Sequence, residues 1–389
     1  MKLSNNSSLD PRLHVPYSIA TGIPKGGDTE IGGYLNSLRT QGFCAIEGVI
    51  PREEVEEVRE SVLLGRRLLK QDRLIEKQKR VELEKERLVR DGKSAIEITE
   101  PVRPPVAPNA ELCDISRNEI FAKYLAESRV LRVAKAIMDP HVRILQTEVN
   151  KSSRPTEKPV TEEQKIRRVW HSDWPHDLSA YGPTENEPWN HCGAVGQPFP
   201  DVCMALSTIW FLGPDDVTPY NGGTWVVPGS HKDPRNPRGP DDGIDDRAPI
   251  PGEFQVSVPS GSVFIQDTRI WHSNALNQSA HERTAVVVRY GPWWLSGNEF
   301  GNLHSGGKTI KTYVPKDVFE RFSPDVQLLY RHLAEGVEDV LQPENQRKAM
   351  RARFLDQPHL RNPDKIANND HVIVGAMTAE EWRRNQKKP

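Results

Sequence analysis

Residues 253–267 read EFQVSVPSGSVFIQD, two short apolar runs joined by a turn-forming Pro-Ser-Gly-Ser segment. In the first run Phe254, Val256 and Val258 alternate with polar residues, which is the pattern of a strand with one buried face. Comparable runs are VRILQTEVNK (142–151), KIRRVWHSD (165–173), VCMALSTIWFL (202–212), GGTWVVPGS (222–230) and RTAVVVRYGPWW (283–294). Because turn residues and no regular helices separate them, the sequence predicts a mainly β sandwich or closed barrel, such as a jelly roll.

Helical segments flank this β-rich region. The N-terminal part, residues 1–140, contains a long, highly charged segment at 51–95, with Pro51 placed as a first-turn proline. We expect either a solvated helix here or an arm that closes over a site or packs on a second copy in a homodimer. Residues 141–300 form the predicted β core, and residues 301–389 a helical C-terminal extension. All three regions are expected to form one structural domain.

The composition narrows the class of protein. The 389 residues carry a net charge of -2, which argues against nucleic acid as the main partner, because phosphate binding needs a basic face. The sequence shows no apolar stretch of membrane-spanning length and no secretory signal. Its four cysteines, Cys44, Cys113, Cys192 and Cys203, have no CxxC spacing. The expectation is a cytoplasmic protein with reduced thiols, no membrane partner and a small-molecule substrate.

Two titratable residues stand at the end of the run at 165–173. His171 and Asp173 form an H-x-D pair, and side chains two positions apart on a strand face the same way. An imidazole and a carboxylate placed like this can share a metal ion. Two ligands do not hold a catalytic metal, and His272, which ends SVFIQDTRIWH, is the best-placed third. Two histidines and one carboxylate are typical of non-haem Fe(II) oxygenases, although zinc accepts similar ligands.

An arginine follows the distal histidine. Arg283 begins the last β-rich run, and period two places it on one face with Ala285, Val287 and Arg289. If that face points into the barrel, the guanidinium needs an anion, and its planar fork binds a carboxylate through two hydrogen bonds. The sequence therefore predicts an acidic co-substrate that bridges the metal and Arg283, with Arg289 as the alternative anchor.

Three segments together resemble one known family. WHSD, then NGGTWVVPGSHK (221–232), then WHSNALNQSAHERTAVVVRY (271–290) are similar to the phytanoyl-CoA dioxygenase family of Fe(II)/2-oxoglutarate oxygenases. The resemblance covers roughly residues 140–295. It implies a double-stranded β-helix and an enzyme that uses Fe(II), 2-oxoglutarate and O2. It also implies His171, Asp173 and His272 as metal ligands, Arg283 as the partner of the distal 2-oxoglutarate carboxylate, and Gln146 near the co-substrate. The family usually has glycine after the distal histidine, where this chain has Ser273.

Other assignments compete within the sequence. A second H-x-D, His231 to Asp233, follows VVPGS, and a turn there spoils a shared face. His176 and Asp177 lie beyond Pro175 and are expected to line the mouth of the site or to pair with each other. Halogenating relatives lack the carboxylate ligand, so Asp173 favours hydroxylation or another oxidation. The rival functions are a non-oxidative, zinc- or manganese-dependent cupin-type hydrolase or isomerase, and a non-catalytic binding protein.

Overall fold

The computed structural model describes residues 29–93, 114–148, 153, 155, 169–173, 175–176, 201–237, 243–245, 248–295 and 314–339. The chain divides into two compact units, Met1–Glu335 and Gly336–Pro389. The helices and strands given below belong to the first unit; of the second, only residues 336–339 are described. The boundaries expected near residues 140 and 300, and the single structural domain, remain predictions.

Eight strands within the described residues form two antiparallel sheets. They are β1 (Phe43–Ile46), β2 (Val142–Glu148), β3 (Leu206–Phe211), β4 (Trp225–Val226), β5 (Phe254–Gln255), β6 (Val263–Asp267), β7 (His272–Ser273) and β8 (Ala285–Pro292). The first sheet has the order β1-β6-β3-β8-β2 and the second the order β5-β4-β7. Sequence neighbours are rarely sheet neighbours, so long-range pairing holds this fold together.

The hydrophobic core lies between the two sheets. Apolar side chains from the first sheet meet Val226 and Phe254 from the second; they include Phe43, Ala45, Ile209, Phe211, Phe264 and Ala285. The rings of Phe43 and Phe254 lie 5.6 Å apart, centroid to centroid. Burying a side chain of this size contributes about 1.5–3 kcal/mol. Two antiparallel sheets that enclose one core confirm the predicted mainly β, double-stranded β-helix fold.

Helices pack against the first sheet and against one another. They are α1 (Thr29–Gln41), α2 (Val55–Arg90), α3 (Glu119–Ala122), α4 (Ser128–Ile137), α5 (Lys316–Arg321) and α6 (Pro324–Tyr330). Phe121 packs edge-on against Trp210, with ring centroids 5.6 Å apart. Tyr290 on β8 donates a hydrogen bond to the Leu125 carbonyl at 2.8 Å. The residues of β8 that point away from the core are thus buried too, and both faces of this strand are enclosed.

The long charged helix begins later than its sequence suggests. Pro51 was expected in the first turn, but α2 starts at Val55, because the Glu54 amide closes a turn onto the Pro51 carbonyl at 2.9 Å. Val58 and Val62 are buried, whereas Leu83 and Val89 are 62% and 66% exposed. The buried apolar side chains that are described in this helix are thus concentrated at its beginning, and Val81 is the one described further along. No helix in the described part of the chain is long and apolar enough to cross a membrane.

The stretch before His272 changes sheets. The sequence SVFIQDTRIWH reads as a single strand, but in the structure β6 ends at Asp267 and His272 begins β7 of the second sheet. The Asp267 carboxylate accepts the Arg269 amide at 2.9 Å, and the Ile270 amide bonds to the Asp267 carbonyl at 3.0 Å. Aspartate favours such turns because its side chain replaces a strand partner for the backbone. The turn carries His272 across to the second sheet.

Candidate metal centre

The two histidines of the site are held by backbone pairing. His272 on β7 lies opposite Val226 of β4, and on its other side it forms an antiparallel bridge with His171. The His171 amide bonds to the His272 carbonyl at 3.0 Å, and the reverse bond is 2.9 Å. His171 therefore extends the second sheet by one residue. Of the predicted strand at 165–173, residues 165–168 lie outside the described residues.

Asp173 reaches the site from outside any strand. Its amide donates to the Thr268 carbonyl at 2.7 Å, in the turn that leads from β6 to β7. The expectation that the pleat of one strand aims both His171 and Asp173 is therefore wrong. A bridge places the histidine and a turn contact places the aspartate, because the strand-like pairing ends at His171. The two side chains nevertheless converge.

The three side chains meet at one point. One ligand atom from each of His171, Asp173 and His272 lies within 4.8 Å of the other two, and no other such trio occurs among the described residues. His272 Nε2 is 3.7 Å from Asp173 Oδ1, and the two imidazole rings have centroids 4.2 Å apart. Two atoms that each lie about 2.0–2.2 Å from one ion are at most about 4.4 Å apart, and the 3.7 Å between the His272 and Asp173 ligand atoms falls within that limit. The donor set therefore fits a divalent metal.

Backbone carbonyls orient both imidazoles. Nδ1 of His171 lies 3.2 Å from the Val169 carbonyl, and Nδ1 of His272 lies 3.0 Å from the Ile270 carbonyl. A carbonyl only accepts hydrogen bonds, so each Nδ1 carries the proton and each Nε2 carries the lone pair. This arrangement fixes the tautomer that a histidine ligand needs, as second-shell partners do in known metal sites.

Asp173 is kept ionised by its neighbours. Burial by itself raises the pKa of this carboxyl, but the positive charge of the nearby Arg289 opposes burial, and the pKa lies well below its usual range. Arg289 Nη2 is 3.2 Å from Asp173 Oδ2, and the Ser207 hydroxyl also bonds to the carboxylate. The carboxylate is thus available as an anionic ligand.

Arg283 is a buried cation that lacks an anionic partner among the described residues. It is 8% exposed, and its Nε and Nη1 atoms have no hydrogen-bond partner there. The guanidinium lies over the Phe211 ring, 5.3 Å from the centroid. Burial lowers the pKa of Arg283 to about 10. Leaving such a group unpaired is costly, so the position suits the carboxylate of a ligand.

Gln146 and Arg289 form a polar row with Ser207. β8 pairs with β2 and β3 so that Arg289 lies opposite both Gln146 and Ser207. Arg289 donates from Nη1 to the Gln146 side-chain oxygen. Arg289, the alternative co-substrate anchor, is therefore engaged by Asp173 and Gln146. The sequence reasoning did not identify Ser207 or this pairing; the period-two pattern that placed Arg289 on the inner face was the available signal.

The competing assignments lie elsewhere. His231 is 2% exposed in a 3-10 turn at Ser230–Lys232, and Asp233 pairs with Arg235 at 2.6 Å, so this H-x-D does not form a metal pair. His176 is 4% exposed, which places it in the interior and not at a solvent-lined mouth. Asp177 lies outside the described residues, as does Cys192. Cys44 and Cys203 are free thiols.

Several solved structures resemble the chain. HygX from Streptomyces hygroscopicus with nickel and 2-oxoglutarate bound is 20% identical, with 68% of this chain and 87% of that chain covered and a TM-score of 0.38. EctD from S. alaskensis with 2-oxoglutarate and 5-hydroxyectoine is 17% identical, with 73% and 81% covered and a TM-score of 0.41. SnoN, a non-heme alpha ketoglutarate dependent epimerase from nogalamycin biosynthesis, is 18% identical, with 69% and 85% covered and a TM-score of 0.40.

A match to a protein family identifies the family of this chain. The family described as Phytanoyl-CoA dioxygenase (PhyH) matches residues 38–285, well over half of the 389 residues. The matched span contains His171, Asp173, His272 and Arg283. The chain belongs to the phytanoyl-CoA dioxygenase (PhyH) family of 2-oxoglutarate-dependent non-haem iron oxygenases.

Proposed function

We propose that this oxygenase hydroxylates a small organic substrate, with 2-oxoglutarate and O2 as co-substrates. The balance is R–H plus 2-oxoglutarate plus O2 giving R–OH plus succinate plus CO2. His171, Asp173 and His272 hold Fe(II), and Arg283 binds the distal carboxylate of 2-oxoglutarate. The convergence of the three ligand atoms within 4.8 Å is the observation that carries this proposal.

The donor set matches the metal. Two neutral imidazoles and one carboxylate form a facial triad that leaves positions open for a chelating co-substrate and for dioxygen. Iron bound there supplies the redox chemistry that couples oxidative decarboxylation of 2-oxoglutarate to oxidation of a C–H bond. The chain's own contribution is to orient the ligands through the backbone carbonyls of Val169 and Ile270.

The carboxylate ligand favours hydroxylation over halogenation. A halide needs a coordination position that a protein carboxylate would otherwise fill, and Asp173 supplies that carboxylate. Its low pKa keeps it anionic across the physiological range. A zinc hydrolase could use the same three ligands, but it does not require a buried guanidinium that lacks an anionic partner among the described residues. Arg283 therefore supports the oxygenase proposal.

The charge of Arg283 supports its role as the partner of the distal 2-oxoglutarate carboxylate. Arg283 precedes β8 by two residues, and its guanidinium lies over the ring of Phe211, which belongs to the core together with Ala285. A dicarboxylate that chelates the metal at one end places its other carboxylate away from the metal, in the apolar interior, where only a cation can pair with it. Gln146 is proposed to lie beside the bound co-substrate.

Anaerobic addition of Fe(II) and 2-oxoglutarate tests the proposal. The chelate has a weak visible charge-transfer band, which should appear with this protein and be lost in His171→Ala. Candidate substrates are then screened for stimulated succinate formation, with mass spectrometry for a gain of one oxygen. If folded protein gives neither the band nor succinate, the oxygenase proposal fails. Succinate without a gain of oxygen in any product would remove hydroxylation alone.

A further inference from the structure

Arg289 joins the metal-ligand carboxylate to the sheet. Its side chain is 7% exposed, and Nη2 lies 3.2 Å from Asp173 Oδ2. Nη1 of the same guanidinium donates to the side-chain oxygen of Gln146 on β2. One planar group thus connects a turn residue of the metal site to two strands of the first sheet, β8 and β2.

The two oxygens of Asp173 have different surroundings. Oδ1 faces the metal position, 3.7 Å from His272 Nε2, whereas Oδ2 is engaged by Arg289. A carboxylate can bind a metal through one oxygen or through both. Because Oδ2 already pairs with a cation, only Oδ1 is presented to the point that the histidines share.

The number of carboxylate oxygens on the metal decides how many positions remain. With one oxygen, the facial triad of an octahedral ion leaves three positions. The proposed 2-oxoglutarate chelate takes two of them, so a single position remains for dioxygen. If Asp173 bound through both oxygens, that last position would be filled. The contact between Arg289 and Asp173 Oδ2 therefore decides whether a coordination position remains for dioxygen.

We propose that Arg289 is a positioning residue that restricts Asp173 to one-oxygen coordination and thereby keeps the last metal position open. The inference rests on the proposed function of the same site. Ser207, opposite Arg289 on β3, supports the same orientation, because its hydroxyl also bonds to the carboxylate. A guanidinium suits this task because its fork holds Gln146 and Asp173 in one plane.

Simple charge effects predict a different result. A cation beside a metal site repels the metal, so if Arg289 acted only through its charge, Arg289→Met would merely tighten metal binding. If Arg289 anchored 2-oxoglutarate, the same variant would weaken co-substrate binding. The positioning role instead changes the number of water molecules on the metal at saturating 2-oxoglutarate. That number separates the three roles.

Mn(II) is the probe, because water-proton relaxation reports how many water molecules it carries. With saturating 2-oxoglutarate, the unsubstituted protein should hold about one metal-bound water by the ligand count, and Arg289→Met should lose nearly all of that contribution. Gln146→Leu, which releases one side of the guanidinium, should lose part of it and provides the test if Arg289→Met does not fold. Arg129→Met is the matched control, because Arg129 also pairs with a carboxylate, that of Glu127 at 2.8 Å. This pair lies at the N-terminus of α4.

The outcomes separate this inference from the oxygenase proposal. If the unsubstituted protein binds neither Mn(II) nor 2-oxoglutarate, both fall. The unsubstituted protein could instead bind both Mn(II) and 2-oxoglutarate. If Arg289→Met and Gln146→Leu then show the same water-proton relaxation as the Arg129→Met control, only the positioning role is overturned. A raised Kd for 2-oxoglutarate with unchanged relaxation would likewise overturn it and would make Arg289 a co-substrate anchor.

Discussion

His171 and His272 are partners through their backbones as well as through their rings. Two amide-carbonyl hydrogen bonds of 3.0 and 2.9 Å join them, and their ring centroids lie 4.2 Å apart. The bridge uses no side-chain atom, so the positions of both imidazoles are set by sheet formation and not by the metal. A site built in this way is organised before an ion arrives.

Removal of either imidazole should strongly weaken metal binding while the fold survives. We expect His171→Ala and His272→Ala to lower Mn(II) affinity by at least a hundredfold, because two remaining ligands hold a divalent ion poorly, and to retain the far-UV circular dichroism of the unsubstituted protein. Calorimetric titration measures the affinity. The control is His281→Ala, whose exposed imidazole pairs with Asp215 at 2.8 Å. An unchanged affinity for Mn(II) in both His171→Ala and His272→Ala would show that these two histidines are not metal ligands.

Replacement of Arg283 should have opposite effects on binding and stability. Arg283→Met should raise the Kd of 2-oxoglutarate at least tenfold, since a charge-assisted hydrogen bond contributes about 1.5–3 kcal/mol and 1.4 kcal/mol is a factor of ten. Without ligand the variant should melt at a higher temperature, because it no longer buries a cation that has no anionic partner in the described part of the chain. Arg52→Met, at an exposed pair with Asp216, should change neither. A normal Kd in Arg283→Met would disprove the anchor role.

Acid should weaken the fold through His231. Burial lowers the pKa of this histidine in the folded state, while nearby Asp267 opposes the shift. The unfolded state then binds more protons below the ordinary pKa of about 6.5, so stability is complete above that pH and declines below it, by up to about 1.4 kcal/mol per pH unit. Denaturant titrations from pH 7 to pH 4.5 should give a shallower decline for His231→Gln. The exposed His141→Gln should keep the original slope, and equal slopes in all three proteins would contradict the prediction.

Gly42 should tolerate substitution far less well than Gly48. Its φ is +90°, and an added Cβ would lie 2.6 Å from His231 Nδ1. The left-handed backbone costs alanine about 1–2 kcal/mol, and the overpacking adds about 1–3 kcal/mol. Gly48, with φ +59° and no atom within 4 Å of an added Cβ, should show the first cost alone. Chemical denaturation of Gly42→Ala and Gly48→Ala measures both, and equal losses would mean that His231 moves aside freely.

Period-two alternation was sufficient to predict the fold class and the inner face of β8. Ala285 and Val287 do pack in the core, and Arg283 is buried as that face requires. The H-x-D and the distal histidine identified the three residues that meet. These signals are local, or they repeat at a fixed spacing, so they can be read without knowledge of which strands pair.

Features that depend on the register between strands could not be predicted from the sequence. Arg289 meets Gln146 only because β2 lies beside β8 in one particular register, and alternation carries no information on that choice. The sheet change before His272 follows from a side-chain-capped turn at Asp267, which interrupts a run that looks like a continuous strand. Asp173 owes its place to a turn contact with Thr268, which no spacing rule anticipates.

Arg283 lies two residues before β8 and Arg289 lies within it, on a face that also builds the core. Sliding the strand by one residue would turn both guanidiniums outward and their apolar neighbours with them. A chain with this strand out of register would thus lose its hydrophobic core and its active site together. Quality control that senses exposed apolar surface would, for this protein, also remove copies with a defective active centre.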